Sequence, residues 1–151
     1  MKMNMNMKAA VLFIVVAMLL AACGGGGSPS SSAAEKAALE YVEVFINGSD
    51  TEKKEQFIID YVHADIAPLF QMGLAFEGDE AKEPAYMNAK AVETVSYSEE
   101  GQTVQAVLVK ADGDKEIIVL FLDDKIAFAF PKSEAEEADG TYDEMRSRFK
   151  A

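Results

Sequence analysis

Few side chains in this 151-residue sequence are equipped for chemistry, and they lie far apart. Cys23 is the only cysteine and His63 the only histidine. His63 stands in "YVHAD", close to Asp60 and Asp65. An imidazole beside a carboxylate is the pairing a general base needs, and an apolar pocket around it would complete the arrangement. The same imidazole at the end of a helix also complements the helix dipole without doing any chemistry. Aspartates gather again in "ADGDK" (Asp112, Asp114) and "LDDK" (Asp123, Asp124). Calcium accepts such oxygens, but the regular Asp-x-Asp-x-Asp-Gly spacing of a calcium loop is missing, and Asp-Gly is first a hairpin turn. The sequence holds no zinc-ligand spacing, no glycine-rich phosphate loop and no nucleophile elbow, so neither a metal nor a cofactor is expected.

Cys23 sits where no folded pocket can form around it. Before it, "AAVLFIVVAMLLAA" from Ala9 to Ala22 is wholly apolar and follows the basic, acid-free start "MKMNMNMK". A spanning helix needs about 20 apolar residues, whereas the apolar part of an export signal needs about 7–15. After it comes "GGGGSPSSS". With no second cysteine there is no intrachain disulfide. Leu20-Ala21-Ala22-Cys23 resembles the lipobox of bacterial lipoproteins. That resemblance implies a diacylglyceryl group on the Cys23 thiol, cleavage after Ala22, and a chain held in the bilayer by palmitate-like tails. Two or more such tails anchor stably where one does not. Residues 1–22 are then a lipoprotein signal peptide. Residues 23–32 are the lipidated cysteine and a flexible spacer, which sets the next domain on the order of 15 Å from the membrane. The expected location is the cell membrane, on its extracytoplasmic side. The glycine directly after Cys23 suits a Gram-positive membrane.

Charge narrows the partners. The chain has 14 basic and 26 acidic residues, and loss of Lys2 and Lys8 with the signal would move its formal charge from -12 to -14. Such a surface repels nucleic acid and anionic headgroups and tolerates cations and basic partners.

The remaining elements follow from capping and periodicity. Ser32 to Glu35 has the form of a capping box, opening a helix that places Ala38, Tyr41, Val42 and Phe45 on one face and closes at Asn47-Gly48. Ser49 to Glu52 repeats the box, and the helix behind it stacks Phe57, Ile58, Tyr61 and Val62. A third short helix is expected from about Asp65, with Pro68 in its first turn, stopping before Gly73. Past Pro84 the pattern alternates. "NAKAVETVSY", "QTVQAVLVKA", "KEIIVLFL" and "KIAFAF" are separated by "SEEG", "DGD" and "DD" and read as a four-stranded antiparallel meander. "EIIVLFL" has no polar residue after Glu116, so it is expected to be central and covered on both faces for part of its length. The acidic tail 132–151 ends in a third capping box, Thr141 to Glu144. Tyr142, Met145 and Phe149 share a face there, to dock on the chain's own sheet or on a partner.

Two or three N-terminal helices packed on a meander sheet make a two-layer α+β domain over 33–131. Its order resembles the cystatin-like and nuclear-transport-factor-2-like domains of small bacterial lipoproteins. The resemblance rests on "ALEYVEVFINGSD", "VETVSYSEEGQTVQAVLVKADGD" and "IIVLFLDDKIAFAF". It departs from many relatives in lacking a tryptophan in the last strand. It implies a cone-shaped fold used by binding modules and by some enzymes, so function must come from a site. Tyr41, Phe45, Tyr61 and Phe128 are the candidate lining of a pocket between helices and sheet, joined by Phe57, Phe121 and Phe130. The leading expectation is a non-catalytic module of the cell envelope that binds a protein or a small apolar or peptide-like ligand. The alternative is an enzyme using His63 with Asp60 or Asp65. A homodimer through the outer sheet face is compatible with either.

Overall fold

The computed structural model describes residues 29–76, 83–132 and 140–151. The expected signal peptide, Cys23, the start of the expected spacer, the acidic loop 77–82 and residues 133–139 of the acidic tail lie outside the described residues.

Helix α1 spans Pro29–Glu40. It begins at proline, whose fixed φ suits a first turn, so Ser32 lies inside the helix and four residues of the expected spacer are helical. Ala34, Ala37 and Ala38 are buried, and their small side chains let α1 lie close to the sheet. The chain then widens into a π-helical segment, Tyr41–Ile46. Asn47 is right-handed (φ -83°, ψ -26°), not the left-handed cap expected from Asn-Gly. Its side chain does something else. Its Nδ2 donates to the Tyr86 carbonyl at 2.8 Å and its Oδ1 accepts from the Tyr86 N–H at 2.9 Å. This pins the approach to the first strand against the π segment. Gly48 is required by close approach, because a Cβ there would stand 2.3 Å from the Val44 carbonyl oxygen.

Helix α2, Thr51–Tyr61, is capped by Asp50 and not by Ser49. The Asp50 carboxylate accepts from the Lys53 N–H at 3.2 Å. Beyond it Val62 turns extended and forms a parallel bridge to Ile126. Helix α3, Ala67–Phe76, starts beyond Asp65 and runs through Gly73. A helical glycine costs about 1 kcal/mol. Phe70 and Leu74 packing on the core offset that cost.

Strands β1 (Lys90–Glu99), β2 (Gln102–Ala111), β3 (Lys115–Leu122) and β4 (Lys125–Pro131) form one antiparallel sheet in the order β1-β2-β3-β4. The β1–β2 turn places Glu100 and Gly101 at φ 50° and 82°, and the β3–β4 turn places Asp123 and Asp124 at 47° and 61°. Two consecutive left-handed residues are what a tight hairpin needs. Val107, Val109, Ile117, Val119, Phe121 and Ile126 point to the helices. Val104, Ala106, Leu108, Ile118 and Leu120 point the other way. The central place of β3, buried on both sides, accounts for its unbroken apolar run.

The second face is covered in part by helix α4, Thr141–Arg146, with Gly140 and not Thr141 at its cap. Phe149 is buried there beside Tyr142 and Met145. The C-terminal helix thus docks on its own sheet, and a partial third layer is added to the expected two.

Candidate functional site

The site is built on the outer sheet face, and α4 defines it by what it covers. One carboxylate anchors the helix. Glu116 Oε2 accepts from the Tyr142 hydroxyl at 2.5 Å and from Arg146 Nε at 2.9 Å, and its Oε1 lies 3.3 Å from Lys110 Nζ. Burial pushes the Glu116 carboxyl upward, but the hydrogen bonds from Tyr142, Arg146 and Lys110 outweigh it and bring the group down to about 2. The Tyr142 phenol is pushed well above its usual range by burial and by that carboxylate. At β1, Glu93 Oε2 accepts the Lys150 and Ala151 N–H groups, both at 2.8 Å, and these bonds hold its carboxyl below the usual range. The Arg148 guanidinium lies 4.1 Å from the Tyr97 ring centroid, and the Tyr97 hydroxyl donates to Met145 Sδ at 3.4 Å.

Beyond α4, toward the β1–β2 and β3–β4 turns, the outer face is bare. A groove of about 320 Å³ lies there, floored by Val104, Leu120 and Leu122, with Phe128 beside it and Glu99 and Glu100 at its rim. Phe128 is 45% exposed, and among the large apolar side chains described on the sheet it shares that state only with Val92. This concavity can hold an apolar group, and its carboxylates can hold a cation beside it. It carries no thiol, imidazole or amine.

The expected pocket residues do not converge. Tyr41 and Phe45 stack at 5.5 Å, Phe45 and Phe70 meet edge-on at 5.2 Å, and Phe57 and Tyr61 stack at 4.9 Å. These rings fill the helical layer and line no cavity with Phe128. The Tyr61 phenol, hydrogen-bonded to Glu40 and partly desolvated, titrates above its usual range. Phe128 lies on the other side of the sheet for a local reason. Phe121 pairs with Ile126 but Leu120 pairs with Phe128, so Ala127 is an extra residue that reverses the alternation. Ile126 faces the helices and Phe128 faces out.

His63 is placed at the edge of β4, where its N–H donates to the Ile126 carbonyl at 2.8 Å. Its Nδ1 accepts the Asp65 N–H at 3.3 Å, which leaves the neutral ring's proton on Nε2. Nε2 lies 3.9 Å from Asp123, a partner contributed by the β3–β4 turn. Asp60 does not join them; its carboxylate accepts from Gln56 Nε2 at 3.0 Å and its carbonyl from Lys125 Nζ at 2.5 Å. Asp65 and Asp123 are almost wholly solvated, at 90% and 92% side-chain exposure. The four turn aspartates divide between opposite ends of the sheet. Asp112 accepts from Asn88 Nδ2 at 2.6 Å. Among the described residues no group of three or more histidine, cysteine or carboxylate side chains could hold a metal ion.

A second concavity, about 700 Å³, runs shallowly between α1 and the start of β1. Leu39, Val44, Ala89 and Ala91 line it, and Glu35, Lys36, Glu40, Glu43 and Lys90 give it both signs of charge, where the outer groove has carboxylates alone.

No helix among the described residues is long and apolar enough to cross a membrane. Compared with known proteins, the chain matches no family model, no curated protein and no solved structure.

Proposed function

We propose that this chain is a lipid-tethered extracytoplasmic lipoprotein whose α+β domain works as a non-catalytic binding module, with the outer-face groove as its working surface. The single observation that carries the binding role is the apolar groove beside α4, left open with Phe128 exposed while α4 and Phe149 cover the neighbouring part of that face. The lipobox-like Leu20-Ala21-Ala22-Cys23 supports the tether. The helix-first meander supports kinship with cystatin-like domains. Catalysis is the less favoured reading, because His63 lies outside the groove with its Nδ1 lone pair engaged.

Two measurements test this. Cys23→Ser in the full chain should lose the metabolic fatty-acid label and move from the detergent phase to the aqueous phase on cloud-point separation. Retention of both label and detergent partitioning would refute the tether. A benzophenone amino acid placed at position 128 should give a discrete adduct in intact cells, and the same probe at the exposed Ile59 of α2 should give none. Indistinguishable results at the two positions would remove the groove as the working surface.

A further inference from the structure

Resting on that reading, we propose that the groove takes a peptide segment of a separate protein in which a large apolar or aromatic side chain is flanked by arginine or lysine. The outer face already displays its preferred chemistry, because the chain's own tail is such a segment. Arg148-Phe149-Lys150 places a buried aromatic ring between two cationic residues. Around it, Arg146 pairs with Glu116 at 2.9 Å and Arg148 covers the Tyr97 ring.

The open part of the face repeats each of those features. Its aliphatic floor, Val104 and Leu120, belongs to the same cluster as the Leu108 and Ile118 that pack with Phe149. Phe128 supplies a ring whose centroid is 6.3 Å from that of Phe130, itself part of the cluster with the tail. Glu99 and Glu100 offer at this end the carboxylates that Glu116 and Glu93 offer at the other. Glu100 is held at φ 50° in the tight turn, which fixes where its carboxylate begins. Anionic partners meet carboxylates here and a formal charge of -12 on the whole chain. Cationic flanks gain from both and from the exposed Phe128 ring.

The probe is a fluorescein-labelled peptide with the sequence of residues 146–151, titrated into the full chain held in nanodiscs of zwitterionic lipid. Comparison peptides carry glutamate for each cation, or alanine for the phenylalanine. The parent peptide should bind, with each altered peptide weaker by about tenfold or more. Glu99→Gln combined with Glu100→Gln, both exposed and harmless to folding, should weaken it by about three- to tenfold, and salt should do the same. Phe128→Ala should weaken it further. Binding unchanged by both sets of substitutions would mean that the peptide sits elsewhere, and would overturn the proposal. An uncharged apolar peptide that binds as tightly and still needs Phe128 would overturn the partner class and leave the binding-module reading standing. A chain dimer that Phe128→Ala dissociates would assign the groove to a second copy and overturn the proposal of a separate partner. Absence of parent-peptide binding would also overturn it. The cross-link at position 128 would then decide separately whether the groove works at all.

Discussion

Phe121→Ala is expected to remove about 3–5 kcal/mol of stability, read as a large fall in the urea midpoint at an unchanged slope. Phe121 is 2% exposed on the helix-facing side of β3, paired across to Ile126. β3 is central, with β2 and β4 bonded to its two edges and its helix-facing side chains buried. Truncation there leaves a hole that can close only by moving three strands, so little relaxation is available and the cavity cost adds to the lost transfer energy. A domain of this size has about 5–15 kcal/mol in total, so the variant would stand near its unfolding threshold. Phe128→Ala provides the contrast. That ring is 45% exposed, so its truncation should cost about 1 kcal/mol or less. Equal losses for the two substitutions would show that the bulge at Ala127 does not divide the faces as described.

That bulge also shows how far a sequence of this kind can be read. The bounds of β2 follow from alternation, those of β3 from its apolar run, and both strands end at the turn chemistry of Asp-Gly and Asp-Asp. Helix starts are legible only to within a few residues. Neighbouring positions can both supply a cap, as Ser49 and Asp50 do, and backbone geometry chooses between them. The π segment has no such signal, since six residues are too few to separate its wider period from an α-helix.

The candidate site is less legible than the strands. "KIAFAF" reads as one alternation that places Ile126 and Phe128 on one face, and no residue type announces that Ala127 is extra. Phe128 therefore joins the inner aromatics in any reading by period, though it stands with the outer set. The groove has a second source that period cannot supply. Alternation shows that β2 and β3 have an apolar outer face, and Tyr142, Met145 and Phe149 show that the tail has a matching one. Neither tells which half of the sheet the tail covers. That is decided by Glu116 and Glu93, which fix α4 and the chain end at one end of the sheet and leave the other bare.

The same anchor makes the docking of α4 sensitive to acid. Glu116 has a folded value of about 2 against an ordinary 4.5. A group lowered on folding stabilises the native state above its unfolded value, and loses that contribution as pH falls through the folded one. The stabilisation is therefore fully present above about pH 5 and is withdrawn between 4.5 and about 2. Its side chain is 14% exposed, and a shift of this size corresponds to about 2–3 kcal/mol after allowance for solvent screening. Glu93 is lowered in the same sense by the Lys150 and Ala151 N–H groups, so its loss acts in the same direction. A six-residue helix has no stability of its own to oppose this. The expected result is that amides of 141–151 exchange faster as pH is lowered toward 2, after correction for intrinsic rates, while Ile118 and Val119 in β3 stay protected. Glu116→Gln keeps the shape and removes the charge, so it should give that faster tail exchange already at pH 7 and flatten the response between 4.5 and 2. A tail that opens only together with β3, in the wild type or the variant, would show that α4 belongs to the global folding unit. If it opens separately, the bare groove at neutral pH and the wider face exposed in acid are two states of the proposed binding surface, with Glu116 setting the balance between them.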